Sequence, residues 1–469
     1  MNSKRQGQKC QLLAVVPTLA LSLSAAFAYA GTKPTPAEAT RRYVETEMRA
    51  QNIPGVSVAV FKHGKPIYVK SFGVATLEHA VPATPQTLFQ IGSIGKQFTA
   101  VAIMLLVNER RLDLDDPLAK YLPEIPASWQ AVTLRTMLNH QSGIAQLIDS
   151  GHALLDLRRD YSDLELIRLA VSQPLDFAPG TDSAYSDTAY VLLGIVINRV
   201  TQGFYGDFLN ERIFKPLGMR HTQIISDTDI VPNRASGYEL NADGALKNQA
   251  WVSATLNRTA DGSLYSTVLD LGRWDAALYG DSLLPQADLA RMWTVEAHVN
   301  GQRPLYHYGY GWEINALRGR RVVEYDGNWQ GFQAAMARYL DRQLTVVVLT
   351  NRSLCRTQRL THRIAGIFDS ALLPYGIAAH DPAPDKTWAF TQLLNDTLAG
   401  KTPGSWSAAL TRELKSVGPI RSVALAEDHR DSNRSARVYR IELAQMTDYF
   451  RVQYRADGTI QDLDLYREF

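Results

Sequence analysis

A chain of 469 residues is longer than one hydrophobic core fills, so more than one structural unit is predicted. Apolar residues make up 45% and charged residues 20%, a globular balance that excludes collagen-like, coiled-coil and wholly disordered classes. The formal charge of +2 falls to about −1 once three basic leader residues are set aside, leaving no electrostatic case for a nucleic-acid partner or an anionic membrane surface.

The leader carries Lys4, Arg5 and Lys9, then an apolar run from Leu12 to Phe27, then Ala28-Tyr29-Ala30. A basic start, an apolar middle and a small-x-small end predict a secretory signal peptide over residues 1–30. The run is shorter than the ~20 residues a spanning helix needs, and Pro17 interrupts it. Secretion, with the periplasm as destination, is expected, and no stable membrane anchor is. Cys10 lies ahead of the apolar run, which leaves Cys355 as the one mature cysteine and excludes an intramolecular disulfide. The ten histidines show no metal-ligand spacing, so neither a metal nor another cofactor is expected.

In chain order, residues 36–52 pattern as an amphipathic helix. Val56–Phe61 and Pro66–Phe72 read as strands around a His63-Gly64-Lys65 hairpin. A helix apolar on most faces, predicted to be buried, runs from Ser93 to about Asn108. Helical segments and loops follow to about residue 225. Tyr310–Ile314, Arg321–Tyr325, Gln333–Tyr339 and Leu344–Leu349 read as strands, the last a run rich in β-branched residues that belongs at the centre of a sheet. Strands at both ends with helices between them predict an α+β fold: a central antiparallel sheet flanked by helices, with an inserted helical region, over residues 31–375. Pro374, Gly376, Pro382 and Pro384 mark a linker at residues 376–386. Residues 387–469 then predict a small C-terminal α+β domain of unknown role. It has helical stretches at Trp388–Leu398 and Trp406–Leu414, and strands at Val438–Leu443, Tyr449–Tyr454 and Thr459–Leu465, the last two joined by an Asp457-Gly458 turn.

The chemistry concentrates in three places. In Gly92-Ser93-Ile94-Gly95-Lys96, the serine opens the buried helix and the lysine lies one turn on, on the same face. A serine hydroxyl attacks only when a neighbour takes its proton, and a lysine can do so where burial and nearby positive charge favour its neutral form. The helix N-terminus also offers free backbone N–H groups to a developing oxyanion. S-x-x-K is common by chance, and Ser93 as a plain helix cap is the competing reading. Tyr185, in Ala184-Tyr185-Ser186-Asp187, precedes a helix running from Tyr190 to Val200 and can point its hydroxyl into a cleft or sit as a core aromatic. Tyr325-Asp326-Gly327-Asn328 lies on a strand whose edge can offer a backbone N–H. No G-x-S-x-G elbow, P-loop, dinucleotide fingerprint or zinc-protease helix occurs.

Together these segments resemble the family of class C β-lactamases, serine D-Ala-D-Ala carboxypeptidases and related esterases. Thr133–Gly143, Pro216–Thr222, Asp261–Thr267 and Tyr308–Trp312 are similar to further stretches of that family, in its order. The resemblance implies a β-lactamase/transpeptidase-like fold and a serine hydrolase acting on a small-molecule ester, amide or peptide. Ser93 would form the acyl-enzyme, Lys96 would share general-base work, and Tyr185 would carry the proton to the leaving group. The backbone N–H groups of Ser93 and Asn328 would form the oxyanion hole, with Asp187, Tyr325 and Gly327 as substrate-binding positions. His140 is read as a core hydrogen-bonding residue rather than a base.

Two positions depart from the family pattern. Asp187 stands where asparagine is usual, and Tyr325 where lysine or histidine is usual. An ionised Asp187 would hold Lys96 as an ammonium and shift proton handling toward Tyr185, or would attract a cationic substrate group. At an effective dielectric of ~20 and a separation of ~4 Å, one such charge pair is worth about 4 kcal/mol. An esterase or peptidase is therefore expected rather than an efficient β-lactamase. The alternatives are a penicillin-binding protein acylated and slowly released, a true β-lactamase, and a catalytically silent scaffold.

Overall fold

The computed structural model describes residues 34–147, 155–302, 304, 306–317, 320–373, 376–401, 419–431, 434–443, 447–455 and 457–468. The leader and the expected helix at Trp406–Leu414 lie outside them. Among the described residues, no helix is long and apolar enough to cross a membrane.

An amphipathic helix, α1 (Pro36–Ala50), leads into β1 (Gly55–Lys62) and β2 (Lys65–Thr76). His63 (φ 52°) and Gly64 (φ 68°) make the two-residue turn between these strands. Both residues adopt positive φ, which matches the right-handed twist of an antiparallel pair. Val81–Pro82 (β3) adds an edge. The chain then leaves the sheet and returns as β4 (Glu313–Leu317), β5 (Arg320–Trp329), β6 (Phe332–Tyr339) and β7 (Leu344–Thr350). The order is β3-β2-β1-β7-β6-β5-β4, every pair antiparallel. The fold is the α+β arrangement expected, with the sheet assembled from both ends of the segment and the helices inserted between.

β7 pairs with β1 on one side and β6 on the other, Val348 facing both Val58 and Ala335. Its apolar stretch Val346–Leu349 has a simple cause. Val347 and Leu349 join the core beneath the inserted helices, and Val346 and Val348 join a second core under α1 and α4 (Thr357–Phe368). Both faces of the strand are covered along this stretch, and the buried hydroxyl of Thr345 just before it donates to Asp275 Oδ1 at 2.8 Å. The same logic applies to α2 (Gly95–Asn108), which is buried continuously from Gly95 to Leu106. A helix apolar all round belongs inside.

Two segments differ from expectation. The strand expected at Tyr310–Ile314 begins only at Glu313. Gly311 takes φ 74°, and the backbone at Gly309 is pressed against the Met292 carbonyl, so the extended chain is broken there. An additional strand, β8 (Ile420–Asp431), precedes those expected near the C-terminus. Its charged tail, Glu427-Asp428-His429-Arg430-Asp431, hides the strand pattern, but edge strands tolerate such charges. β8 pairs with β9 (Arg434–Leu443), followed by β10 (Thr447–Tyr454) and β11 (Ile460–Glu468), in an antiparallel sheet. Helix α5 (Pro384–Leu398) lays Phe390 and Leu394 on Leu425, Tyr439 and Phe450 of this sheet. Its first position is a proline, which loses nothing there because that N–H has no intrahelical partner.

Candidate active site

The inserted helices and the sheet meet at the start of α2. The chain enters through β-like Phe89–Gln90 and a 3₁₀ turn, Gly92–Ile94, with Gly92 at φ 51°. Two other backbones crowd this turn. A Cβ on Gly327 would lie 2.0 Å from the Ile91 carbonyl oxygen and 2.8 Å from the Ser93 nitrogen. One on Gly92 would lie 2.6 Å from the Asn328 nitrogen, and one on Gly262 would lie 2.6 Å from the Gly92 carbonyl carbon. Such approaches admit no side chain, so glycine is the residue that fits. They bring strand β5 against the nucleophile turn, with the Asn328 nitrogen beside Gly92. This gives the expected pair of oxyanion donors, Ser93 and Asn328, a common neighbourhood.

Ser93 is half-buried and Lys96 fully buried. The Lys96 ammonium donates to Ser93 Oγ at 3.1 Å, to Asp187 Oδ1 at 2.5 Å and to the Asp261 main-chain oxygen at 2.5 Å. Ser93 Oγ and the Tyr185 hydroxyl are 2.6 Å apart, and the Tyr185 hydroxyl donates to Asp187 Oδ1 at 2.8 Å. Asp187 opens helix α3 (Asp187–Thr201), capped by Ser186, whose hydroxyl accepts from the Ala189 N–H. A carboxylate in a first helical turn is favoured by the macrodipole. Its other oxygen, Oδ2, accepts from Gln146 Nε2 at 3.2 Å, and Gln146 Oε1 accepts from the Asp187 N–H at 2.8 Å.

The electrostatics follow from this packing. Burial pushes the Asp187 carboxyl upward, but the Lys96 charge and the hydrogen bonds from Lys96, Tyr185 and Gln146 outweigh it and hold the group below the usual carboxylate range. Burial, and then the charge of Asp187, push the Tyr185 hydroxyl well above its ordinary value. Asp261 carries a second carboxyl beside the pair. Burial and the Asp187 charge push it up to about 6 against the pull of Lys96, and its buried Oδ1 has no hydrogen-bond partner.

His140 sits directly behind Tyr185. Burial, and then the positive charge of Lys96, push the imidazole down to about 3, so it is neutral across the physiological range. Its Nδ1 accepts from the Ser186 N–H at 3.1 Å, which leaves the proton on Nε2, 3.5 Å from the Tyr325 hydroxyl. The ring packs against Tyr185, Tyr190 and Tyr308 at centroid distances of 4.8, 5.2 and 4.7 Å.

The structure thus brings Ser93, Lys96, Tyr185 and Asp187 into one hydrogen-bonded cluster, with Gly327 and Asn328 against the nucleophile turn. Tyr325 is buried on the same side of the sheet, its hydroxyl 3.5 Å from His140 Nε2 and its phenol near that of Tyr185. A strand alternates its side chains, so Tyr325 shares the face of Gly327, the face that packs on the Gly92–Ile94 turn. Sequence reasoning missed Gln146 and the carboxyl of Asp261. Nothing in the sequence marks Gln146, which lies in a loop of ordinary composition. Asp261 falls within a recognised stretch, but its closeness to Lys96 depends on the Gly262 backbone packing on Gly92.

Replacing Asp261 by asparagine tests the raised carboxyl. Its folded value of about 6 lies above the ~3.9 of an unfolded aspartate. The folded state therefore holds more protons between these values, and stability falls as pH rises from about 4 to about 6. Asp261→Asn is expected to gain about 2 kcal/mol over wild type at pH 7 and almost nothing at pH 4, read by chemical denaturation at both pH values.

A serine, a lysine and a tyrosine joined by hydrogen bonds at the start of a buried helix on this fold define the class as a serine hydrolase. The chain belongs to the Beta-lactamase family, whose model matches residues 40–365. It is 29% identical over 309 residues to Penicillin-binding protein 4* of Bacillus subtilis (strain 168), covering 63% of this chain and 68% of that protein. It is 26% identical over 317 residues to Protein flp of Staphylococcus aureus (strain MW2), a match that spans 61% of that protein's length. Among solved structures, the octameric penicillin-binding protein homologue from Pyrococcus abyssi superposes with a TM-score of 0.60 at 26% identity, covering 92% of this chain and 98% of that one. The D-amino acid amidase from Ochrobactrum anthropi SV3, solved with L-phenylalanine amide, gives 0.59 at 25% identity, covering 68% and 91%.

Proposed function

We propose that the protein hydrolyses an ester or amide bond through an acyl-enzyme on Ser93, and that it prefers neutral or amine-bearing substrates to β-lactams and to peptides ending in a free carboxylate. The observation that carries this reading is the set of contacts from Lys96 to Ser93 and from Ser93 to Tyr185, at 3.1 and 2.6 Å, with the Asn328 backbone packed against the Ser93 turn. Nucleophile, proton carrier and oxyanion donors then stand within one site. The preference rests on charge. Two carboxyls, Asp187 and Asp261, face one ammonium, and the position expected to hold a cation carries the buried phenol of Tyr325. A substrate carboxylate meets repulsion there. A substrate ammonium can approach Asp187 Oδ2, whose carboxylate side chain remains 24% exposed. Amides of amino acids carry such an ammonium and no carboxylate, a chemistry shared with the compound bound to the Ochrobactrum anthropi amidase.

Residues 1–30 are proposed as a cleaved export signal, with the mature enzyme acting outside the cytoplasm. Residues 387–469 are proposed as an appended domain beside the hydrolase.

The test pairs wild type with Ser93→Ala. Both are exposed briefly to benzylpenicillin and weighed intact, then assayed on p-nitrophenyl butyrate and on D- and L-phenylalanine amide. Turnover of ester or amide by wild type alone, without a persistent penicillin adduct, is the expected result. A stable adduct on wild type alone with no ester or amide turnover assigns the protein to penicillin binding instead. Rapid penicillin consumption overturns the substrate preference, and an active Ser93→Ala variant overturns the acyl-enzyme.

A further inference from the structure

We propose that Asp187 is the terminal proton acceptor of the site: the Ser93 proton passes by way of Tyr185 to the Asp187 carboxylate as the serine attacks, and returns along the same path. The inference rests on the acyl-enzyme reading above and adds to it the group that receives the proton.

Counting hydrogens gives the direction. An ammonium has three N–H bonds and no lone pair. Lys96 spends all three, on Ser93 Oγ, Asp187 Oδ1 and the Asp261 main-chain oxygen. It is a donor to the nucleophile and has no place to accept from it. A phenol has one hydrogen, and Tyr185 gives it to Asp187 Oδ1. The 2.6 Å contact between Ser93 and Tyr185 must then be made by the serine hydrogen. The chain of bonds runs in one direction: Lys96 to Ser93, Ser93 to Tyr185, Tyr185 to Asp187. It starts on a cation and ends on an anion.

The other groups around this line do not offer a base. Tyr185 stays a neutral phenol, because burial and the neighbouring carboxylate oppose its ionisation. His140 is neutral, but its accepting Nδ1 is taken by the Ser186 N–H. Asp261 meets Lys96 through its main-chain oxygen, and its carboxyl hydrogen-bonds none of Ser93, Lys96 and Tyr185. Gln146 donates to Asp187 Oδ2 and leaves Oδ1 to the phenol and the ammonium. An asparagine at position 187 would accept the Tyr185 hydrogen bond, but its amide oxygen would not take a proton at ordinary pH. The carboxylate changes what the phenol can do: it passes one proton on while receiving another.

The steps balance. In acylation the Oγ–C bond forms, the serine proton moves to the Tyr185 oxygen, and the Tyr185 proton moves to Asp187 Oδ1. Collapse breaks the bond to the leaving group, and the proton on Asp187 returns through Tyr185 to that group. In deacylation water takes the place of the serine: its oxygen bonds to carbon and one of its protons moves to Tyr185, whose own proton moves to Asp187. The C–Oγ bond then breaks, and the proton returns to Oγ.

Asp187→Asn separates this role from mere restraint of the lysine, because the two give opposite signs. As a proton acceptor, Asp187 is required, and the variant is expected to lose about 10²–10⁴-fold in kcat/KM on p-nitrophenyl butyrate. Its loss should not add to that of Tyr185→Phe in the double variant, because both break one relay. As a restraint that only holds Lys96 charged, removal of the carboxylate would leave activity unchanged or raise it, and that result overturns the proposal. A second measurement needs no variant. The wild-type solvent isotope effect on kcat/KM, taken across H₂O–D₂O mixtures, is expected to curve downward from a straight line because two protons move together. A linear dependence, one proton in flight, overturns the relay. An inactive Ser93→Ala with an active Asp187→Asn removes the relay alone, whereas an active Ser93→Ala removes the acyl-enzyme reading itself.

Discussion

Replacing Gly327 with alanine is expected to lower kcat/KM on p-nitrophenyl butyrate by about 10²–10³-fold, the size seen when one oxyanion donor is lost. The added Cβ would fall 2.0 Å from the Ile91 carbonyl oxygen, 2.8 Å from the Ser93 nitrogen and 3.0 Å from the Gly92 carbonyl carbon. All three are backbone atoms in the turn that carries the nucleophile, so no side-chain rotation relieves the contact. The strand must retreat from the turn, and the Asn328 N–H retreats with it. Misplacing a pre-oriented donor by about 1 Å removes most of its effect on the transition state. The same clash is expected to cost about 1–3 kcal/mol of stability, as other overpacked sites do. The control is Gly203→Ala: that glycine is exposed and its Cβ would meet nothing within 4 Å, so both quantities should match wild type. A Gly327→Ala enzyme with full activity would show that the strand does not hold the oxyanion.

The difference between Gly327 and Tyr325 explains how much of this molecule was legible in the sequence. Local patterns carried the elements. His63-Gly64 announces its hairpin because a two-residue turn needs positive φ, and the Val346–Leu349 run announces a central strand because both faces are covered. The nucleophile segment was legible because the glycines and the Ser93–Lys96 spacing lie within one turn of chain. What was not legible depends on distant segments meeting. Tyr325 shares the face of Gly327, but what its side chain meets there is fixed only when distant segments pack: its hydroxyl lies 3.5 Å from His140, 185 residues away in sequence. Gln146 reaches Asp187 across 41 residues, and the Asp261 main-chain oxygen reaches Lys96 across 165. Asp187 was visible as a substitution, but its meaning was not. From sequence it reads as a restraint on the lysine or an anchor for a substrate amine. The contacts add to these that its Oδ1 stands at the end of the line of hydrogen bonds leading from Ser93.

The buried ammonium that starts this line is expected to matter as much to stability as to catalysis. Lys96→Met removes a fully buried cation and leaves Asp187 Oδ1 with the Tyr185 hydrogen bond alone. Breaking one partner of a buried pair costs about 3–5 kcal/mol, and the partial exposure of Asp187 puts this site at about 3. The pH dependence has a definite sign. In wild type the Asp187 carboxyl is held below the usual range, so its pairing stabilises the fold at neutral pH and is lost as pH falls through the depressed value. Without Lys96, burial and the neighbouring Asp261 push the carboxyl above its unfolded value. Ionising it then costs stability as pH rises through that raised value, so the deficit against wild type is largest near pH 7 and shrinks toward pH 4. The double variant Lys96→Met/Asp187→Asn removes both charges and is expected to regain most of the lost stability, while activity stays at least ~10³-fold below wild type because the serine has lost both its orienting donor and its relay. Denaturant unfolding of wild type, both single variants and the double at pH 4 and pH 7 closes the cycle. A Lys96→Met variant as stable as wild type at pH 7 would mean that the Asp187 carboxylate finds another partner, and would overturn the buried pair as a source of stability.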